Sequence, residues 1–183
     1  NLFSFVCGLG MFLFGMNIMA DGLQQSAGGK MKQLLGYLTN NRVLGVLVGA
    51  ILTAVIQSSS ASVGILQALS ATGAVSYGAA IPIIMGQNIG TCVTAVLASL
   101  GTSVNAKRTT LIHLLFNIIG TAIFLVICEL VPFTTWFANL FPNNPSAQIA
   151  NAHLVYKVVT TIILFPFAKQ LVKLATIILP EKE

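Results

Sequence analysis

Apolar stretches long enough to cross a bilayer recur along this chain, and they limit its fold more than any other feature. A helix needs about 20 apolar residues to span a hydrocarbon core, and residues 2–20, 109–131 and 152–179 each reach that length. A large soluble protein could bury such stretches, so composition has to decide. The chain carries 9 Lys/Arg and 4 Asp/Glu among 183 residues, which is 7% charged against 56% hydrophobic, with a mean hydropathy of +0.90. Soluble domains hold about 25% charged residues because their surfaces face water. So few charges cannot solvate a 19.3 kDa globule, and most of the surface must face lipid. The expected class is an all-α, multi-pass integral protein of a cell membrane.

The net charge of +5 does not indicate nucleic acid, since no basic run is denser than Lys30, Lys32 or Lys107-Arg108. Cys7, Cys92 and Cys128 lie in apolar stretches without metal-ligand spacing and read as packing residues. The chain opens on Asn1 and not on Met, which predicts further sequence upstream. Residues 2–20 lack a basic stretch before them and are long for a signal peptide, so they count as a span.

Between the spans the pattern changes. In residues 21–39, Leu23, Met31, Leu34, Leu35 and Leu38 alternate with Gln24, Gln25, Lys30, Lys32 and Gln33. That is the pattern of an amphipathic segment in the interface; a polar loop followed by a short helix is the plainer alternative. Residues 43–56 and 61–71 are apolar but too short to span alone, and Gln57-Ser58-Ser59-Ser60 separates them. The preferred reading of residues 43–71 is a re-entrant hairpin with the polar residues at its tip, which requires protein or water around it. A second interruption, Gly86-Gln87-Asn88-Ile89-Gly90-Thr91, divides residues 79–100 and predicts a broken span, with Pro82 reinforcing the break. Residues 109–131 carry His113 and Asn117, residues 132–150 read as a loop with an interfacial Trp136, and the last span bends at Pro166 and contains Lys157.

Gln57, Ser58, Ser59, Ser60, Ser62, Gln87, Asn88 and Thr91 offer hydroxyls and amides without charge, the ligands a dehydrated Na⁺ needs. Amides opening at a half-helix N-terminus suit an anion. Paired short, Gly/Pro-interrupted apolar segments point to a transporter site near the midplane. Helix packing through small residues is the competing explanation, and Gly45-x-x-x-Gly49 has that pattern. His113 with Asn117, and His153 with Lys157, each share a helix face at i, i+4.

Gln57-Ser58-Ser59-Ser60-Ala61 and Gly86-Gln87-Asn88-Ile89-Gly90-Thr91, in that order, resemble the two signatures of the type II sodium–phosphate cotransporter family, and Gly8 to Met16 with Asp21-Gly22-Leu23 resembles its opening helix. The resemblance implies Na⁺-coupled phosphate symport in a bacterial inner or plasma membrane, with no organic cofactor and no enzymatic activity. It implies phosphate on Gln57, Ser58, Ser59, Ser60, Gln87 and Asn88, and Na⁺ on Gln57, Ser58, Ser60, Ser62, Asn88 and Thr91. Asn117, His113 and Lys157 are accessory candidates; the family tends to have Asn where Lys157 stands. Members usually hold two such repeats in opposite orientation, whereas this chain shows one. The expected assembly is an antiparallel homodimer, with a domain cut from a longer chain as the rival reading. A dual-topology ion or anion channel is the alternative function. A Ser–His hydrolase pairing Ser58 to Ser60 with His113 lacks a nucleophile elbow, and no phosphate-binding P-loop supports ATP-driven transport.

Overall fold

The computed structural model describes residues 2–15, 18, 22 and 41–180. These residues form helices and no strands: α1 (Leu2–Gly15), α2 (Arg42–Ile56), α3 (Ser59–Ala71), α4 (Tyr77–Ser99), α5 (Val104–Leu130), α6 (Phe133–Leu140), α7 (Pro145–Leu164) and α8 (Ala168–Ile178). The interfacial segment expected at residues 21–39 lies outside the described residues, apart from Gly22.

Side-chain caps set the helix starts. Asn41 accepts the N–H groups of Val43 and Leu44 at 3.0 and 3.2 Å, and Ser58, Ser76, Ser103 and Asn144 do the same work for α3, α4, α5 and α7. The Ser103 cap begins α5 at Val104, ahead of the expected residue 109, so Lys107 and Arg108 lie within the helix. Asn144 as cap and Pro145 in the first turn begin α7 inside the stretch read as a loop. The rest of that loop contains α6. Around Pro166 the chain tightens into a 3₁₀ turn over Phe165–Phe167, the bend expected there, before α8 continues.

Among the described residues, three helical stretches are long and apolar enough to cross a membrane: Tyr77–Ser99, Val104–Leu130 and Pro145–Ile178. The chain is accordingly a multi-pass membrane protein. At 15 and 13 residues, α2 and α3 fall short, and they form a helix–turn–helix about Gln57 and Ser58.

Helix α4 is the axis of the molecule. Every residue from Ala79 to Asn88 is buried, with α2 and α3 on one side and α5 and α7 on others. The expected break in this helix is absent: α4 runs without interruption through Pro82 and Gly86 to Thr91. Its glycines serve close approach. A Cβ on Gly86 would strike the Val46 carbonyl, one on Gly90 the Ala50 carbonyl, and one on Gly49 of α2 the Ile83 carbonyl. Glycine lets two backbones meet as readily as it lets a helix unwind, and here α2 occupies the space that the missing side chains leave. Pro82 faces the same seam, 2.9 Å from where a Cβ on Gly45 would stand.

Aromatic side chains close the other side. Phe124 meets Phe133 and Tyr156 edge-on, each at a centroid distance of 5.1 Å. Arg42, at the start of α2, is ion-paired with Glu129 near the end of α5. Beside that pair lies a cavity of roughly 240 Å³ lined by Arg42, Pro82, Met85, Leu125, Cys128 and Thr134, and it contains none of the expected site residues.

Candidate functional site

The Gln57–Ser58 turn brings opposite helix ends together. Gln57 ends α2 in the left-handed region, φ 56° and ψ 23°, with its N–H donating to the Thr53 carbonyl at 2.7 Å. A residue with a Cβ pays about 1–2 kcal/mol for that conformation, so the turn is held by its surroundings. Ser58 then caps α3, its Oγ accepting the Ala61 N–H at 3.3 Å. The carbonyl end of one helix and the amide end of the next thus converge, presenting partial charges of both signs. Gln57 and Ser60 are exposed, and Ser58 and Ser59 are half-buried.

Inside this turn, three buried polar side chains from three helices meet. Thr53 of α2 donates its hydroxyl to the Ser62 Oγ of α3 at 2.9 Å. Gln87 of α4 donates from Nε2 to the Ser62 carbonyl at 3.0 Å. Gln87 is only 1% exposed, yet its Oε1 has no hydrogen-bond partner. A buried carbonyl oxygen without a donor costs about 1–3 kcal/mol, and such an oxygen is also an available cation ligand.

Asn88 turns elsewhere. Its Nδ2 donates to the Ile84 carbonyl at 2.9 Å, and its Oδ1 faces His153 Nε2 of α7 at 3.4 Å. Thr91 donates to the Gln87 carbonyl one turn back, and Asn117 to that of His113, both at 2.9 Å. Back-bonding of this kind satisfies polar groups inside apolar helices without a distant partner. Cys92 Sγ lies 3.7 Å from the Asn88 carbonyl and 3.8 Å from that of His113, which ties α4 to α5.

The expected residues are therefore gathered only in part. Ser62 and Gln87 meet, and Asn88 lies beside them. The side chains of Gln57, Ser59 and Ser60 make no hydrogen bond to Gln87, Asn88 or Thr91. His113 and Lys157 are exposed on this chain. Sequence reasoning passed over Thr53, although Gly45, Gly49 and Thr53 form one four-residue series along the α2 face that meets α4. In sequence His153 stands out only by its spacing to Lys157, since nothing local shows that it reaches Asn88.

Buried hydroxyls of the two short helices thus meet a buried amide of the spanning helix α4, in a multi-pass membrane protein. A family model described as Na+/Pi-cotransporter matches residues 11–179, and the chain belongs to that family. Among curated proteins it is 31% identical over 178 residues to the uncharacterized protein YqeW of Bacillus subtilis, covering 96% of this chain and 56% of that one. It is 28% identical over 181 residues to the putative inorganic phosphate export protein YjbB of Escherichia coli K12, covering 96% of this chain and 32% of that one. Over 93 residues, 49% of this chain and 14% of the relative, it is 36% identical to sodium-dependent phosphate transport protein 2A of Rattus norvegicus. The chain thus spans about half the length of the first of these relatives and a third of the second. No solved structure matches it.

Proposed function

We propose that this chain is one repeat of a sodium-coupled symporter of inorganic phosphate, with its site where the Gln57–Ser60 turn approaches Gln87 to Thr91. The single observation that carries the reading is the unpartnered Oε1 of buried Gln87. Gln87 was expected on phosphate, but its amide nitrogen is engaged by Ser62, and the end left free is an acceptor. It suits a cation. Thr53 and Thr91 keep lone pairs after donating their protons, and Ser62 Oγ, which accepts the Thr53 hydroxyl, has a second, so the three can complete a neutral Na⁺ ligand set with Gln87. The amide end of α3, with Ser59 and Ser60 in its first turn, is the part suited to an anion.

One turn supplies half of the pseudo-symmetric site that two inverted repeats would build. The second repeat is a second copy of the chain or a further segment of a longer protein. In either case the α2–α3 pair would form a re-entrant hairpin, because its polar tip needs protein or water around it. Uptake of radiolabelled phosphate into liposomes holding the purified protein, with Na⁺ or K⁺ outside, tests the proposal. Accumulation driven by the Na⁺ gradient is expected. Equal flux with K⁺, and no accumulation above equilibrium, would replace the symporter with the channel reading.

A further inference from the structure

The cavity beside the Arg42–Glu129 pair lies at one end of the helices, and its depth in the membrane follows from helix lengths. Helix α5 has 27 residues, about 40 Å of rise, so its ends pass beyond a hydrocarbon core of about 30 Å. Glu129 is its next-to-last residue and therefore sits at headgroup level. Arg42, the first residue of α2, is ion-paired with it there. Trp136 of α6, two residues past the cavity-lining Thr134 and 55% exposed, is of the type that settles at that level. From there the cavity extends inward. It reaches Leu125, about 6 Å below Glu129 along α5, and Met85, about 12 Å into α4 from Tyr77.

The lining changes character along that depth. Arg42 and Thr134 are polar and lie at the outer end, whereas Ile81, Met85 and Leu125 are apolar and lie deeper. A volume of roughly 240 Å³ equals that of about eight water molecules in the liquid. It holds a phosphate with its glycerol and a few methylenes, and is too small for a whole lipid. Arg42 and Glu129 are 47% and 64% exposed, and ion pairs exposed to that extent contribute little, so a ligand can part them. Nearby, the buried hydroxyl of Tyr77 has no hydrogen-bond partner. Tyr77, Ile81 and Met85 follow one another at four-residue spacing and so share a face of α4.

We propose that this cavity binds the headgroup and glycerol of an aminophospholipid, phosphatidylethanolamine being the simplest. It is separate from the transport site, since none of Gln57 to Ser60 or Gln87 to Thr91 lines it. Arg42 takes the phosphate and Glu129 the primary ammonium, while the first acyl methylenes enter along Ile81, Met85 and Leu125. The Tyr77 hydroxyl offers a further donor on that face. Charge selects this headgroup over other lipid classes. A headgroup carrying both signs replaces one ion pair with two and leaves neither residue uncompensated. A purely anionic headgroup would set its phosphate against Glu129. Choline carries the same charges as ethanolamine but has no N–H, so it forgoes the charge-assisted hydrogen bond to the carboxylate.

Cys128 lines the cavity and serves as the reporter, in a Cys7→Ser, Cys92→Ala background and with every subunit the protein assembles with. The protein is placed in nanodiscs of phosphatidylcholine, alone or mixed equally with phosphatidylethanolamine or phosphatidylglycerol. Reaction of Cys128 with a small aqueous thiol reagent is then timed. Phosphatidylethanolamine is expected to slow it about tenfold relative to the other two lipids, the effect of one charge-assisted contact. Glu129→Gln and Arg42→Gln should each abolish that difference, and Arg42→Lys, which keeps the charge, should retain most of it. The comparison among lipids decides even where a variant fails to fold. Equal rates in all three lipids, greatest slowing by phosphatidylglycerol, or protection that survives both Glu129→Gln and Arg42→Gln overturns the proposal. Slowing by inorganic phosphate added to phosphatidylcholine discs would make this a free-anion site and overturn it too. A Cys128 unreactive in every lipid would show that protein covers the cavity, with the same consequence.

Discussion

The carbonyl oxygen of Val46 on α2 occupies the space that a side chain on Gly86 of α4 would need. The same relationship joins Gly49 to the Ile83 carbonyl, so the two helices are in backbone contact from both directions. Gln87 follows Gly86 directly, and this seam therefore sets how deeply its side chain reaches toward α3.

Gly86→Ala should destabilise the protein although alanine is the better helix former. The propensity gain is about 1 kcal/mol, whereas forcing a methyl group against backbone that cannot rotate away costs about 1–3 kcal/mol or more. Thermal unfolding in detergent measures the difference. Gly78→Ala, in the first turn of α4 where a Cβ meets nothing within 4 Å, is the control and should be neutral or slightly stabilising.

Gln87→Ala removes the free acceptor and the bond to Ser62. The Na⁺ concentration needed for half-maximal phosphate uptake should rise by about one to two orders of magnitude, the equivalent of about 1–3 kcal/mol. Any coupling must be reciprocal, so phosphate should also lose its ability to raise Na⁺ affinity to the same degree. An unchanged Na⁺ dependence would remove Gln87 from the cation site.

Thr53 and Ser62 should be energetically coupled. Thr53→Val leaves the buried Ser62 hydroxyl without its donor, and Ser62→Ala strands the Thr53 hydroxyl; each should cost about 1–2 kcal/mol of stability. The double variant should cost less than the sum, with a coupling of about 0.5 kcal/mol or more in a double-mutant cycle. Strict additivity would show that the 2.9 Å contact holds nothing.

Cysteines at Gln57 and Ser59, in a background lacking Cys7, Cys92 and Cys128, should react with small aqueous thiol reagents. Phosphate with Na⁺ should slow that reaction. Leu47, Ile51 and Val55 are exposed on one face of α2 at 52%, 62% and 77%, and cysteines there should resist the same reagents because lipid or a second repeat covers them. Equal reactivity at both sets of positions would rule out a hairpin tip in an aqueous cavity.

An antiparallel dimer makes a topological prediction. Lys107 lies in the first turn of α5, while Asn139 lies on α6 beyond its last. In sealed vesicles, each of Lys107→Cys and Asn139→Cys should be labelled partly from outside and partly only after permeabilisation. One-sided labelling at each position would show a single orientation and place the inverted partner elsewhere in a longer chain.

Much of this protein could be read without coordinates. Span lengths and the scarcity of charge determined the membrane class, since both follow from the hydrocarbon thickness and the cost of burying ions. The polar interruption at Gln57 to Ser60 marked the turn, because two runs of 15 and 13 helical residues cannot each cross a bilayer. Asn144-Pro145 is also a legible start signal, a capping side chain followed by proline, inside the stretch expected to be loop. Tertiary structure alone decided what the second interruption means. Glycines at 86 and 90 are compatible with an unwound helix or with a tightly packed one, and the arrival of α2 selects the second. It alone separated Gln87 from Asn88, two neighbouring amides that look alike in sequence and face α3 and α7. The physical reason is common to both cases: backbone conformation and span length are largely local, but the partner of a buried polar group comes from residues distant in the chain.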